Sequence, residues 1–131
     1  MNRDERNEIV RYRLDRAKET YREVEVLMAN GFYNGAINRL YYACYYAVIA
    51  LLVDNEIDAQ THAGVRQMFG LHFVKTGRID PELGKFYSSI FNSRQTGDYD
   101  DLVSFDKEKI LLMLDPANRM IEEIDLLLRK V

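Results

Sequence analysis

The stretch "YNGAINRLYYACYYAVIALLVDNE", residues 33–56, constrains the fold more than any other part of this chain. Read at helical spacing, Ile37, Leu40, Cys44, Ala47 and Leu51 form one apolar stripe, and Tyr41, Tyr45, Val48 and Leu52 form its neighbour. Tyr42, Tyr46 and Ile49 carry the cover further round. A helix that is apolar nearly all round has to be buried nearly all round. In a small domain such a helix lies at the centre of a bundle, or against a second copy of the chain. The tyrosines favour a second copy for part of the surface, because a phenol wants one end wet or hydrogen-bonded. We therefore expect a homodimer through the Tyr41, Tyr42, Tyr45 and Tyr46 region.

The rest of the chain supplies partners for that central helix. Val10, Leu14, Ala17, Tyr21, Val24 and Met28 alternate steps of four and three, and Arg11, Asp15, Lys18, Arg22 and Glu25 occupy the opposite face. Asn30-Gly31 supplies a left-handed stop. A short helix is predicted from Thr61 to Thr76, with Val65, Phe69 and Phe73 or Val74 inward and Gly77 ending it. His72 is expected to be partly buried there. Asp80 as N-cap and Pro81 at the first helical position start another helix. Its apolar stripe is Leu83, Tyr87 and Ile90, and Gly97 is expected to end it. Ser104 or Asp106 can cap the last helix, striped by Ile110, Leu114, Ala117, Ile121, Ile124 and Leu128. Pro116 inside that stripe predicts a kink near Asp115. Four long helices, a shorter one and short connections predict an all-α fold, an antiparallel four-helix bundle with an additional short helix, spanning residues 1–131 as one domain.

Composition limits the function. With 47% apolar and 30% charged residues the chain folds, and a net charge of -3 argues against a strongly electrostatic grip on long nucleic acid. The seven basic and five acidic residues of the first 22 read as a solvated helix face. The single Cys44 cannot make an internal disulfide and lies in an apolar stretch, so a buried thiol in a reducing compartment is expected. The charged start "MNRDERNEIVRYR" has no signal-peptide core, and the longest apolar run, Leu40 to Val53, is 14 residues. That run is short for a membrane span, and these features together predict a cytoplasmic protein. His62 and His72 lack metal-ligand spacing, and neither a metal nor a cofactor is expected.

One position breaks the apolar rhythm. Leu83, Tyr87, Ile90 and Arg94 follow steps of four, three and four, so Arg94 continues a buried stripe in "SSIFNSRQTGDYDDLVSF". A guanidinium there stands at the mouth of the bundle or is desolvated with partners. Its planar fork suits a carboxylate or a phosphate. Two readings follow. Arg94 and Asp98 form a structural ion pair, or Arg94 faces an anion with Tyr99 beside it.

Three stretches, "NRLYYACYYAVIALL", "THAGVRQMFGLHFVKTG" and "SRQTGDYDD", together with the helix order, resemble the HEPN family of small all-helical domains. The resemblance implies a four- or five-helix bundle that dimerises across its central helices, with a charged cleft at the seam. Many HEPN proteins are metal-independent ribonucleases carrying an arginine followed, after four to six residues, by a histidine. Here Arg94 matches the arginine, but those spacings end at Tyr99, Asp100 and Asp101. Some HEPN proteins act with a minimal nucleotidyltransferase as a toxin–antitoxin pair, and in part of that group the partner modifies a tyrosine near the motif; Tyr99 stands where the histidine would be.

The missing histidine matters because cleavage through a 2′-hydroxyl needs a group that exchanges protons near neutral pH. Arg94 stays charged, a normal phenol keeps its proton until about pH 10, and Asp98 would have to serve two tasks. His62, opening the third helix, is a candidate only if the fold brings it near. Arg39 either salt-bridges an acid or lines the cleft. The reading favoured from sequence is a non-catalytic dimeric module binding a nucleotide, RNA or a partner protein, such as a minimal nucleotidyltransferase, at a cleft of Arg94, Asp98, Tyr99, Arg39 and His62. The alternatives are a ribonuclease working without the usual histidine and a purely structural helical dimer.

Overall fold

The structure, a computed structural model, describes residues 1–99 and 105–129, and only the backbone over 95–99. Among these residues there are five α-helices and no strand. They are α1 (Arg3–Ala29), α2 (Tyr33–Asp54), α3 (His62–Phe69), α4 (Pro81–Tyr99) and α5 (Lys107–Leu128), and a π-helical turn, Gly70–Val74, follows α3 directly. The all-α bundle with one short helix is the architecture expected from sequence.

Helix α2 is the hub, packing against α1, α3, α4 and α5. Eleven of its 22 residues are buried, including Ile37, Leu40, Tyr41, Cys44, Val48 and Leu51. By length and composition α2 is also apolar enough to cross a membrane, contrary to the expectation from its 14-residue run. Most of that stretch is covered by the other helices, which is the situation of a core helix. Burial pushes the Cys44 thiol up to about 12, so it stays protonated.

The partner helices begin and end where local chemistry dictates. Asn2 and Glu5 form a reciprocal capping box on α1, with the Glu5 N–H donating to Asn2 Oδ1 at 2.8 Å and the Asn2 N–H to Glu5 Oε2 at 3.2 Å. Gly31 at φ 77° ends the α1 segment, and Gly77 at φ 81° closes the turn after the π segment. Thr61 caps α3, Asp80 accepts from the Glu82 N–H at 3.0 Å to start α4, and Asp106 caps α5. The chain runs antiparallel between α1 and α5: Lys18 bridges to Asp125 at 2.9 Å, while Tyr21 donates to the Leu114 carbonyl at 3.2 Å.

Several local expectations are corrected. The helix after Thr61 is cut short at Phe69, and a π turn carries the chain on to Val74. Phe69 and Phe73 both point inward across that turn, which leaves His72 exposed rather than partly buried. Helix α4 does not stop at Gly97 but continues to Tyr99, because a glycine ends a helix by turning left-handed and is otherwise carried at a cost of about 1 kcal/mol. Position 98 therefore follows position 94 by one helical turn on the same face, although the side chains of Asp98 and Tyr99, and with them the expected Arg94–Asp98 pair, lie outside the described residues. Ser104 does as well. Pro116 lies inside α5, as the sequence placed it, and the helix runs on to Leu128. Met120, absent from the expected stripe, is fully buried, while Leu114 and Leu128 are only partly so.

Helix α4 meets the π segment at a place with no room for a methyl group. A Cβ on Gly84 would lie 2.7 Å from Val74 Cγ1 and 2.9 Å from Cγ2, and a β-branched side chain has little freedom to swing aside. Overpacking costs roughly 1–3 kcal/mol against about 1 kcal/mol of helix propensity gained. Gly84→Ala is therefore expected to destabilise the fold by about 1 kcal/mol in urea unfolding. Combined with Val74→Ala, it should cost clearly less than the sum of the two single changes; additive losses would mean the contact is relieved elsewhere.

Candidate functional site

Three helices converge on the ring-rich side of α2. From α4, the Arg94 guanidinium lies 5.1 Å above the Tyr41 ring and 5.5 Å above the Tyr42 ring, and its Nη2 donates to the Tyr42 hydroxyl at 3.4 Å. From α3, His62 stacks on Tyr45 with centroids 4.4 Å apart, and its Nδ1 is 2.8 Å from the Tyr41 hydroxyl. The rings of Tyr41 and Tyr42 meet edge to face at 5.2 Å, and Tyr87 of α4 stacks on Tyr41 at 6.0 Å. The arginine that broke the apolar rhythm is thus half-buried over aromatic faces, where the quadrupole of each ring attracts a cation by about 0.5–2 kcal/mol.

Helix periodicity explains the meeting. Tyr41, Tyr42, Tyr45 and Tyr46 project from adjoining faces of α2, with Tyr41 in the core and the other three at its edge. Tyr41, one of the tyrosines expected to face a second copy, is fully buried within the chain, so it cannot. Thr61 fixes the start of α3 by accepting from the Gly64 N–H at 2.9 Å, and that cap sets His62 against α2. On α4, Ile90 and Phe91 anchor the turn before Arg94 in the core.

The environment sets the charge states. Burial pushes the Tyr41 hydroxyl up to about 12, so it remains a neutral hydrogen-bonding group. Burial, followed by the neighbouring tyrosine hydroxyls, also raises Tyr45 and holds Tyr87 well above the usual phenol value. His62 is lowered from 6.5, first by burial and then by the positive charge of Arg94. It is a neutral imidazole at pH 7, with Nδ1 engaged by Tyr41.

More cations surround this centre. Arg66, one turn after His62 on α3, places its guanidinium 4.4 Å over the Phe91 ring. Arg39 covers Tyr42 at 5.1 Å while bridging to Glu23 at 3.8 Å, so it makes the ion pair that was one of the two readings the sequence allowed. Arg16 of α1 lies 5.6 Å from the Tyr46 ring and 3.4 Å from Glu19. Arg94, Arg39 and His62, all candidates from the sequence, come together around Tyr42. Arg66 and Arg16 were not among those candidates. The signal for Arg66 was its i+4 spacing from His62 on an amphipathic segment; Arg16 had none, since it sits among the charged residues of α1.

Chemically, this is a set of guanidiniums and aromatic faces around one neutral imidazole. Such a surface can hold a phosphate by charge-assisted hydrogen bonds and a base by stacking.

Comparison with known proteins places these features in context. The family model of the HEPN domain matches residues 10–127. The chain is 38% identical over 125 residues to a UPF0332 protein of Thermotoga maritima, covering 95% of each chain. It is 37% identical over 101 residues to a Methanocaldococcus jannaschii protein named "Putative toxin MJ0142", covering 77% of this chain and 69% of the relative. A second protein of that organism, named "Putative toxin MJ0605", is 35% identical over 99 residues, covering 76% and 73%.

The Arg94–His62 proximity can be checked directly. The imidazole of His62 should titrate below pH 6.5 in an NMR pH series, and Arg94→Gln should move its midpoint upward, since a positive charge that opposed protonation has gone. An unchanged midpoint would separate the two groups.

Proposed function

The chain belongs to the HEPN domain family, and we propose that it is the toxin-type member of a two-component pair that binds RNA at the cluster of Arg94, Tyr42, His62 and Arg39. The observation carrying this reading is the Arg94 guanidinium held over the Tyr41 and Tyr42 rings beside a neutral imidazole. A ribose-phosphate chain needs a planar cation for its phosphate and a flat face for its base, and the cluster offers both within a few ångströms. Asp98 and Tyr99, one turn further along the α4 backbone, extend the site in this reading. The names of the two Methanocaldococcus relatives support the toxin assignment, and a minimal nucleotidyltransferase is the antitoxin partner it calls for.

The net charge of -3 suits a short RNA segment rather than a long duplex, because the attraction is confined to this face. Two copies are proposed to meet across the partly exposed rings of Tyr42, Tyr45 and Tyr46, placing the cluster of each subunit at the seam, in the cytoplasm.

A second reading, metal-independent RNA cleavage, is favoured by one specific observation: a histidine outside the α4 motif lies within the Arg94 cluster. The sequence had weighed against cleavage because no histidine followed Arg94 at the family spacing.

Binding is tested with a labelled single-stranded oligoribonucleotide in buffer containing a chelator. Arg94→Ala should weaken binding about tenfold or more, in keeping with roughly 1.5–3 kcal/mol for a hydrogen bond to a charged group. Lys85→Ala, on the exposed side of α4, should leave it unchanged. Equal affinity of Arg94→Ala and the unaltered protein would reject the site. Sedimentation equilibrium should give a dimer that Tyr46→Glu dissociates; a monomer at all concentrations would reject the seam.

A further inference from the structure

We infer that His62, delivered from the start of α3, is the proton-transferring group of this site, standing in for the histidine that α4 lacks after Arg94. The inference rests on the reading of the Arg94 cluster as an RNA site. It stands on geometry. The imidazole is stacked on Tyr45 at 4.4 Å and meets Tyr42 edge to face at 5.8 Å, and its Nδ1 is tied to the Tyr41 hydroxyl at 2.8 Å. These contacts fix the ring plane and occupy one nitrogen. When Nδ1–H donates to the Tyr41 oxygen, the lone pair resides on Nε2, the nitrogen left for chemistry.

The surroundings suit a base. Facing His62 are the hydroxyl-bearing rings of Tyr41, Tyr42 and Tyr45 from α2; the Arg94 guanidinium of α4 lies over the first two of these rings and its charge reaches His62, while the charge of Arg13 of α1 reaches Tyr45. Tyr41 stays protonated to about 12, so it orients the ring without competing for the proton. Burial first, and then the Arg94 charge, lower the imidazole from 6.5, and the same guanidinium can stabilise a phosphorane in which negative charge builds on the non-bridging oxygens.

The step balances. Nε2 of His62 takes the proton of a ribose 2′-hydroxyl as O2′ bonds to the adjacent phosphorus. The P–O5′ bond breaks, its electron pair leaves with O5′, and that oxygen takes a proton from water. The imidazolium then returns its proton to solvent. The products are a 2′,3′-cyclic phosphate and a 5′-hydroxyl end. No metal ion enters the balance.

The test uses the full chain, a fluorescent single-stranded oligoribonucleotide and EDTA. The unaltered protein should cleave to cyclic-phosphate ends, with a rate that falls as pH drops through the His62 titration. His62→Ala should slow cleavage of the bound oligonucleotide at saturating protein by about 100-fold or more, the usual contribution of a general base, a loss far larger than its effect on RNA affinity. Added imidazole should restore part of the lost rate. His62→Asn, which preserves a hydrogen-bonding group toward Tyr41 without a titrating one, should be as slow and should lose the acid limb of the pH profile. Cleavage by either variant at the unaltered rate overturns the inference. So does an unaltered protein that binds the oligonucleotide without ever cutting it, a result that leaves the RNA-binding reading standing. Failure to bind at all removes that reading instead, and this inference with it.

Discussion

The burial of α2 is the constraint from which the rest follows. A helix with apolar side chains on almost every face has no stable place at a surface, since each Leu, Ile or Val left wet forfeits about 1.5–3 kcal/mol. Four other helices answer that demand: α1 along one side, α5 along another, α3 and α4 over the remainder. The coverage is incomplete at the two ends of α2 and along one edge, where Tyr42, Tyr45 and Tyr46 stand beside Arg39 and Ile49. Tyr42, Tyr45 and Tyr46 are large enough to seal the core with their rings and polar enough to end at its boundary. The aromatic floor of the site is therefore the edge of the core, and its rigidity is inherited from Tyr41 and Tyr87 beneath it.

A rigid floor of electron-rich rings changes what the neighbouring cations do. In water a surface arginine samples many rotamers and contributes little. Over a ring it loses less hydration than an ammonium would and gains a defined orientation. Arg94, Arg39, Arg66 and Arg16 each lie within 6 Å of an aromatic centroid, at 5.1, 5.1, 4.4 and 5.6 Å. Two of them, Arg39 and Arg16, are partly neutralised by Glu23 and Glu19. Arginines from four helices thus meet one aromatic face, although the chain as a whole is acidic.

How much of this could be read from the sequence depended on whether the signal was periodic. The α2 stripes, the α1 stripe and the Asp80-Pro81 start are local patterns, and they specified the bundle. So was the misplaced arginine, visible because Arg94 fell on the beat set by Leu83, Tyr87 and Ile90. Gly97 misled for a definable reason: residue type permits a left-handed stop without requiring one, and the helix continued. His72 misled because a π turn inserts an extra residue into the period, so that Phe69 and Phe73 share the inner face and His72 rotates outward. Arg66 and Arg16 were illegible as site residues because their partners, Phe91 and Tyr46, lie on other helices; only the packing of α1, α3 and α4 on α2 brings them in.

His62 shows the same limit from the opposite side. Thirty-two positions separate it from Arg94, so no motif read along the chain could join the two. What joins them is a cap and a stack: Thr61 fixes where α3 begins, and Tyr45 accepts the imidazole face on the neighbouring helix. Chemistry at such a site asks for a cation and a proton-exchanging group at fixed separation, and it is indifferent to the order in which the chain supplies them. A pair placed within one loop shares the loop's motion, whereas a pair placed on two packed helices is held by the core between them. In this fold that core is Tyr41, which meets the Arg94 guanidinium with its face and the His62 nitrogen with its hydroxyl. One buried tyrosine thereby holds in place the two groups on which the proposed chemistry rests.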